Sequence, residues 1–438
     1  MILLLLVSVI KKIQPNRYIF LFIFILSTLG IYGQESELKF PAATKEKRDE
    51  YKREIQKSIT SEINAYSKKK DEVVVKKSLE YMQVLNYLED DGYDFLKLAL
   101  KDYSNKSENF YNGVLETAFA LYQTGFEVEM EKILANSTNV RHFTVAANFL
   151  LRIYPEEKST YLSTLQSRFK NYEKNPTLKI LTKYLEIPPV EYLAKRPPIK
   201  DLLEYDFGGN HFVLFSLQRL NRDYPGLVII KNPDGKFLRR EDGTIFSISQ
   251  LARSISNLPS YLVNGNTPQG IFSIQTIQTV KSEVIGPTPA IITALPIEVS
   301  SDKFFHLIKK SNSKWNLKSY LDLFPSSWKN YFPIQEAYIA GEIGRSGIYA
   351  HGTTVDTELF VDYSYYPNTP TRGCLSAKEI WSKKTGKLMY SDQLSLLNAV
   401  KMLELTNGYM VVVELDDREM PVSLDEVLMD ILEMEEGL

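Results

Sequence analysis

Four prolines crowd into IPPVEYLAKRPPIKD, residues 187–201, and separate two stretches of chain with different hydrophobic periods. Proline fixes φ and lacks an N–H, so no continuous helix can run through positions 188, 189, 197 and 198, and an extended linker is expected there. Before this stretch, apolar residues recur at steps of three and four, the period of helices. After it they come in short β-prone runs between turn residues. The pattern predicts a multidomain protein: an all-α, repeat-like domain over 36–186, a Pro-rich linker over 187–204, a β-rich domain with helical insertions over 205–418, and an acidic C-terminal helix over 419–438.

In the first half, 50–66 and 79–88 read as amphipathic helices. Residues 115–124 and 143–152 look like corresponding first helices of successive hairpins, with 130–135 and 161–169 as their seconds. That offset suits a short α-solenoid, an architecture that offers a surface to a protein or glycan partner. No exposed motif names such a partner, so a packed helical domain is the plainer expectation.

In the second half, Asn232-Pro233-Asp234-Gly235 and Glu241-Asp242-Gly243 are turn signals between short strands. A strand is expected over 271–277, short helices over 249–258 and 377–386, and a longer helix from 391 towards Asn407-Gly408. Residues 301–335, with Trp315 and Trp328, are too long for a plain loop and read as a helical insertion, either a lid over a cleft or surface elaboration. The apolar run 408–416 has the character of a buried strand. Ser423-Leu424-Asp425-Glu426 has the form of a capping box.

The 438 residues balance 52 basic against 54 acidic side chains, a net charge of -2, which supplies no general attraction for nucleic acid. Lys11, Lys12 and Arg17 precede an apolar run, 18–32, so residues 1–33 are expected to be an export signal or an N-terminal membrane tether, placing the protein in the periplasm or cell envelope. A single cysteine, Cys374, rules out an internal disulfide. An unpaired thiol in an oxidising compartment is more expected if it works.

Cys374 is followed by Leu375 and preceded by Gly373, which leaves room for a substrate carbonyl to approach the sulfur. An ordinary thiol is only a few per cent thiolate at neutral pH, so a nucleophilic cysteine needs a base or a cation nearby. His351 is the candidate base and Arg372 a candidate cation. The other histidines, at 142, 211 and 306, show no metal-ligand spacing, so a zinc hydrolase is not expected.

The sequence His351-Gly352-Thr353, followed after a spacer by Thr371-Arg372-Gly373-Cys374, resembles the signature of the L,D-transpeptidase (YkuD) family. Thr267-Pro268-Gln269-Gly270-Ile271-Phe272 resembles a second segment of that family's catalytic domain. In this chain Arg372 replaces a frequent histidine and Ser376 stands where arginine or asparagine is common. The resemblance covers roughly residues 205–415. It implies a β-rich catalytic fold with a mixed sheet, the Cys374 loop at a cleft, and acyl transfer on peptidoglycan stem peptides with no metal or organic cofactor. By the same resemblance Cys374 is the nucleophile and His351 the general base and acid. The backbone N–H groups of Gly373 and Cys374 hold the oxyanion, and Thr371, Arg372, Gly352, Thr353 and Ser376 lie along the substrate. A thiol hydrolase (L,D-carboxypeptidase or amidase) in the same fold, and a non-catalytic wall-binding scaffold, stay open.

Overall fold

The computed structural model describes residues 38–101, 106–308 and 314–437. The expected export signal or tether at 1–33 lies outside the described residues. Residues Phe40–Leu438 form one compact unit. No helix among the described residues is long and apolar enough to cross a membrane.

The first part is helical: α1 (Lys45–Lys69), α2 (Glu72–Leu85), α3 (Asp90–Lys101), α4 (Glu108–Leu121), α5 (Glu127–Asn136), α6 (Val140–Leu151), α7 (Lys158–Arg168) and α8 (Pro176–Glu186). Side chains start several of them. Asp71, Ser107, Asn139 and Asn175 each accept the orphan N–H of the first turn, at Val73, Phe110, His142 and Leu178 respectively. The four hairpin helices read from the sequence correspond to α4 to α7. Their apolar faces, with Phe110, Leu115, Met130, Phe143, Phe149 and Leu165, fill one core, and Leu258, Tyr261, Leu262 and Ile339 of the β-rich part join it.

The proline-rich stretch is not an extended linker, as expected, but two short helices, α9 (Pro189–Leu193) and α10 (Ile199–Glu204). Pro189 occupies the first turn of α9 and Pro198 caps α10, positions where the missing N–H is of no consequence. Ile199, Leu202 and Leu203 of α10 then sink into the core of the second part.

That second part is a closed, mixed eight-stranded barrel. Its strands are β1 (Phe212–Arg219), β2 (Gly226–Lys231), β3 (Ser247–Leu251), β4 (Gly270–Gln278), β5 (Ala290–Ala294), β6 (Ala350–His351), β7 (Leu375–Ala377) and β10 (Gly408–Asp416), in the order β1-β10-β4-β5-β6-β7-β3-β2. Strands β8 (Glu379–Trp381) and β9 (Leu388–Ser391) form a separate hairpin. Strand β10 is the buried run the sequence announced, with eight of its nine residues buried, and it pairs in parallel with β1 over its whole length. The two turn signals close as expected, Gly235 N–H on Asn232 O and Gly243 N–H on Arg240 O, both at 3.0 Å.

Two expected helices are replaced by other structure. Residues 249–258 begin as β3 and continue as irregular chain, because their backbone is taken by partners far along the sequence, Ile255 N–H by Thr371 O and Thr267 N–H by Ala252 O. Residues 377–386 form the β8 arm and its turn, over which Phe40 packs edge-on against Trp381 at 6.1 Å.

The insertion holds α11 (Ser301–Phe304) and α12 (Leu317–Leu321), after which a short 3-10 turn leads into α13 (Glu336–Glu342). Phe304, Tyr320, Phe324 and Trp328 belong to the barrel's apolar core, so this segment is a packed flank. Tyr320 accepts the Ile271 N–H and donates to Ile334 O, each at 2.9 Å. Helix α14 (Asp392–Lys401) follows the hairpin, and the acidic tail is α15 (Asp425–Glu436). The tail packs on the barrel: Val427, Ile431 and Met434 are buried, and fully buried Arg219 bonds Glu426 at 2.6 Å and Asp416 at 2.7 Å. Ser423 donates its N–H to Glu426 Oε1 at 2.8 Å, one half of the expected capping box.

Candidate active site

Strands β6 and β7 are short, adjacent and parallel, with Ala350 opposite Leu375 and His351 opposite Ser376. This register sets Cys374, just before β7, opposite Tyr349, just before β6. His351 therefore stands two residues further along the neighbouring strand, on the face Tyr349 and Cys374 share, a step of roughly 7 Å. The topology thus brings together two residues separated by a long loop.

Cys374 is partly buried. Its sulfur accepts the Tyr349 N–H and donates to Gly347 O, both at 3.4 Å, so at rest the thiol is bonded to the β6 approach and not to His351. Burial pushes the thiol up to about 11, against smaller opposing effects of the Tyr349 N–H and the Arg345 guanidinium. His351 is buried and its Nδ1 lies 2.5 Å from Gly352 O. A carbonyl can only accept, so Nδ1 carries the proton and Nε2 is the free basic atom. Burial lowers the imidazole's pKa, outweighing the Gly352 carbonyl. The pair accordingly rests as neutral thiol and neutral imidazole.

The loop before Cys374 is held by its own side chains. Thr371 Oγ1 accepts the Gly373 N–H at 3.1 Å and donates to Cys374 O at 2.7 Å, a hydroxyl staple across the turn. The Gly373 N–H, expected in the oxyanion site, is thus engaged by Thr371 in the resting state. Gly373 has φ +111°, and a Cβ there would stand 2.4 Å from Arg345 Nη2 and 2.7 Å from Gly265 O, so only glycine fits.

The other expected substrate residues divide into two groups. Thr353 is buried, pairs Oγ1 with Thr369 Oγ1 at 2.9 Å, and accepts the Trp381 indole N–H on its carbonyl at 2.7 Å. Ser376 is fully buried and donates to Thr369 O at 2.6 Å. In the resting structure both hydroxyls are engaged with Thr369. Gly352 is needed because the Glu379 carboxyl sits over it: a Cβ would meet that group at 2.2 Å. Arg372 is exposed and paired with Glu80 of α2 at 2.8 Å, so it is a surface bridge to the helical part. The cation beside the thiol is a different arginine.

That residue is Arg345, which the sequence reading missed. It leaves α13, is 5% exposed, and donates to Gly265 O and Asn266 O at 2.9 Å and to Ser260 O. Burial pushes its guanidinium down to about 10, the Cys374 sulfur acting in the other direction. The sequence hint was an arginine set between small residues in Gly344-Arg345-Ser346-Gly347, a few residues before His351.

The two sequence motifs meet in space. Thr267 donates its hydroxyl to Gly373 O at 2.9 Å. Gln269 bonds Glu414 of β10 twice, through Nε2 at 2.9 Å and by accepting the Glu414 N–H at 3.1 Å. Gly270, at φ +129°, lies where a Cβ would be 2.2 Å from the Tyr320 hydroxyl. Upstream, the helical part grips the same segment. Asn264 donates to the Glu116 carboxylate of α4 at 3.1 Å, Arg141 of α6 donates to Val263 O at 3.2 Å, and Tyr261 donates to Asn148 at 3.0 Å. Residues 258–270 are therefore the splice between the helices and the cysteine loop.

Glu379 is a second group the sequence did not reveal. It accepts the Thr353 N–H at 3.0 Å and the Ser391 hydroxyl at 2.7 Å, while burial pushes it up to about 7. Among the described residues there is no cluster of three side chains able to hold a metal ion. No family model, no curated protein and no solved structure matches the chain.

Proposed function

We propose that the protein is a cysteine-dependent L,D-transpeptidase of the YkuD type, working in the cell envelope on peptidoglycan stem peptides. The observation that carries this reading is the convergence of two separate sequence motifs. Thr267 of one bonds Gly373 of the other, beside Cys374, with His351 on the adjacent strand.

Cys374 Sγ attacks the carbonyl carbon of the third stem residue and forms a C–S bond as its proton passes to His351 Nε2. Collapse of the adduct breaks the amide to the terminal D-alanine, whose amine leaves with that proton. An acceptor amine then attacks the thioester, gives up a proton through His351, and restores the thiol as the new amide forms. Because thiol and imidazole both rest neutral, the proton moves with the attack instead of being lost beforehand. The Cys374 N–H remains the natural oxyanion donor, and substrate entry releases the Gly373 N–H from Thr371 to join it.

Incubating the purified chain with a carbapenem and with disaccharide-tetrapeptide tests the reading by mass spectrometry. An adduct on Cys374 and a cross-linked product, both lost in Cys374→Ala and the product lost in His351→Ala, are expected. Release of D-alanine without cross-linking would assign a thiol hydrolase instead. A folded protein with neither adduct nor turnover would leave the wall-binding scaffold.

A further inference from the structure

The least compensated charge near the site is Arg345. Among the described residues no carboxylate comes within ion-pair distance of its guanidinium, which is held by three neutral carbonyls, of Ser260, Gly265 and Asn266. Burying a cation without an anion is costly, and neutral acceptors recover only part of the loss. A staple for residues 258–266 would not need a charge. That segment is already tied by Asn264 to Glu116, by Tyr261 to Asn148 and by Ser256 to Asn264 O at 2.7 Å. What the charge faces is Gly373, whose absent Cβ would touch Nη2, and beyond it Cys374.

We propose that Arg345 is a positioning residue whose buried charge favours negative charge at the Cys374 site, first as it develops on the sulfur during attack and then on the oxyanion formed on its acyl partner. The inference rests on Cys374 being the working nucleophile. The charged groups around the pair are few. Glu336 and Arg141 act on Arg345 from α13 and α6, and Glu298 acts on Cys374 from the turn after β5. Glu336 is occupied with Ser260 Oγ at 2.8 Å, the Gln269 N–H at 3.0 Å and Tyr184 Oη. Glu298 accepts the N–H groups of Leu295 and Gly347, both at 2.9 Å. Each carboxylate is thus committed to other donors. The Arg345 guanidinium stands where a Cβ on Gly373, the residue before Cys374, would have to fit.

Iodoacetate and iodoacetamide have nearly the same shape and differ in charge, so the ratio of their rates at Cys374 reports local charge independently of access and of the thiolate fraction. In the full chain this ratio should exceed that of an unstructured cysteine peptide by about tenfold. Arg345→Met should bring it down to the peptide's value, while Arg345→Lys should keep it within about threefold of the unaltered protein. A ratio in the unaltered protein equal to the peptide's overturns the proposal whether or not the variants fold. An unchanged ratio in folded Arg345→Met overturns it as well. These rates need no peptidoglycan substrate. A raised ratio without carbapenem acylation would therefore sink the transpeptidase reading and leave this inference standing, and acylation with a peptide-like ratio would do the reverse.

Discussion

The barrel has two unlike sides. On one, β1, β10 and β4 run eight or nine residues each and are paired along most of their length. On the other, β6 and β7 are two and three residues long, and the backbone between them is held mainly by side chains. Thr371, Thr267, Ser376 and Arg345 all bond main-chain atoms of the cysteine loop or the segment beside it. A continuous ladder leaves no backbone group for chemistry, because every N–H and C=O already has a partner. The site sits where the ladder thins and discrete hydrogen bonds fix the chain instead.

This contrast predicts that substitutions of similar size act very differently on the two sides. Gly373→Ala should have the largest effect. Its Cβ would collide with Arg345 and Gly265 O at a positive φ, so carbapenem acylation of Cys374 should fall by at least about a hundredfold. Gly243→Ala, at the tip of the β2–β3 connection with φ +84° and open space around the added carbon, should cost only about 1 kcal/mol of backbone strain in a urea titration, with acylation unchanged.

Glu379 gives the next largest effect, in pH dependence. Its carboxyl is pushed up to about 7 in the folded state, above its ordinary range, so the folded protein holds the proton more tightly than the unfolded chain. The stability this confers is complete below about pH 4.5 and is lost as pH rises through about 7. Glu379→Gln should therefore flatten the fall in unfolding free energy between pH 5 and 8 by about 1–3 kcal/mol. An unaltered slope would show that the carboxyl is not buried as described.

Thr267→Val deletes the hydroxyl that holds Gly373 O while keeping the shape. It should cost about 1–2 kcal/mol and slow acylation by about tenfold, since it leaves a buried carbonyl short of a donor on the sparsely paired side. Arg372→Ala should be the mildest, under about 0.5 kcal/mol by denaturant titration, because its bridge to Glu80 is exposed at both ends. A larger loss would mean that this bridge matters to the joining of helices and barrel.

The same contrast explains what could be read from the sequence. Strand β10, the turns at Asn232 and Glu241 and the helices of the first part declare themselves through local period and turn chemistry, so their positions were legible. Residues 377–386 carry the Ala, Lys and Glu of a helix, but the pairing of Ile380 with Tyr390 and the edge-on packing of Trp381 against Phe40 decide otherwise. Residues 249–258 are likewise set by Thr371, more than a hundred positions away. The prolines at 188–198 stand where the helix ending at Glu186 gives way to two short helices, and whether such residues begin helices or extend a linker depends on the apolar face that Leu202 and Leu203 find in the barrel. At the candidate site, Cys374, His351 and Gly373 were visible because their types and order suit nucleophilic chemistry. Arg345 and Glu379 were not, since only burial distinguishes them from surface charges, and Arg372 was credited with a neighbourhood that belongs to Arg345.

The seam between β1 and β10 joins residue 212 to residue 408 and residue 219 to residue 416. A ribosome delivers the first half of that seam nearly two hundred residues before the second, so the ring of strands stays open until residues 408–416 have been made. During that interval β1 has one free edge, the helical part is already complete, and the thiol emerges into an unclosed scaffold. The last long strand made is thus the one that shuts the barrel. A chain cut before residue 408 would carry every residue of the site and still have nothing to hold the ring closed around it.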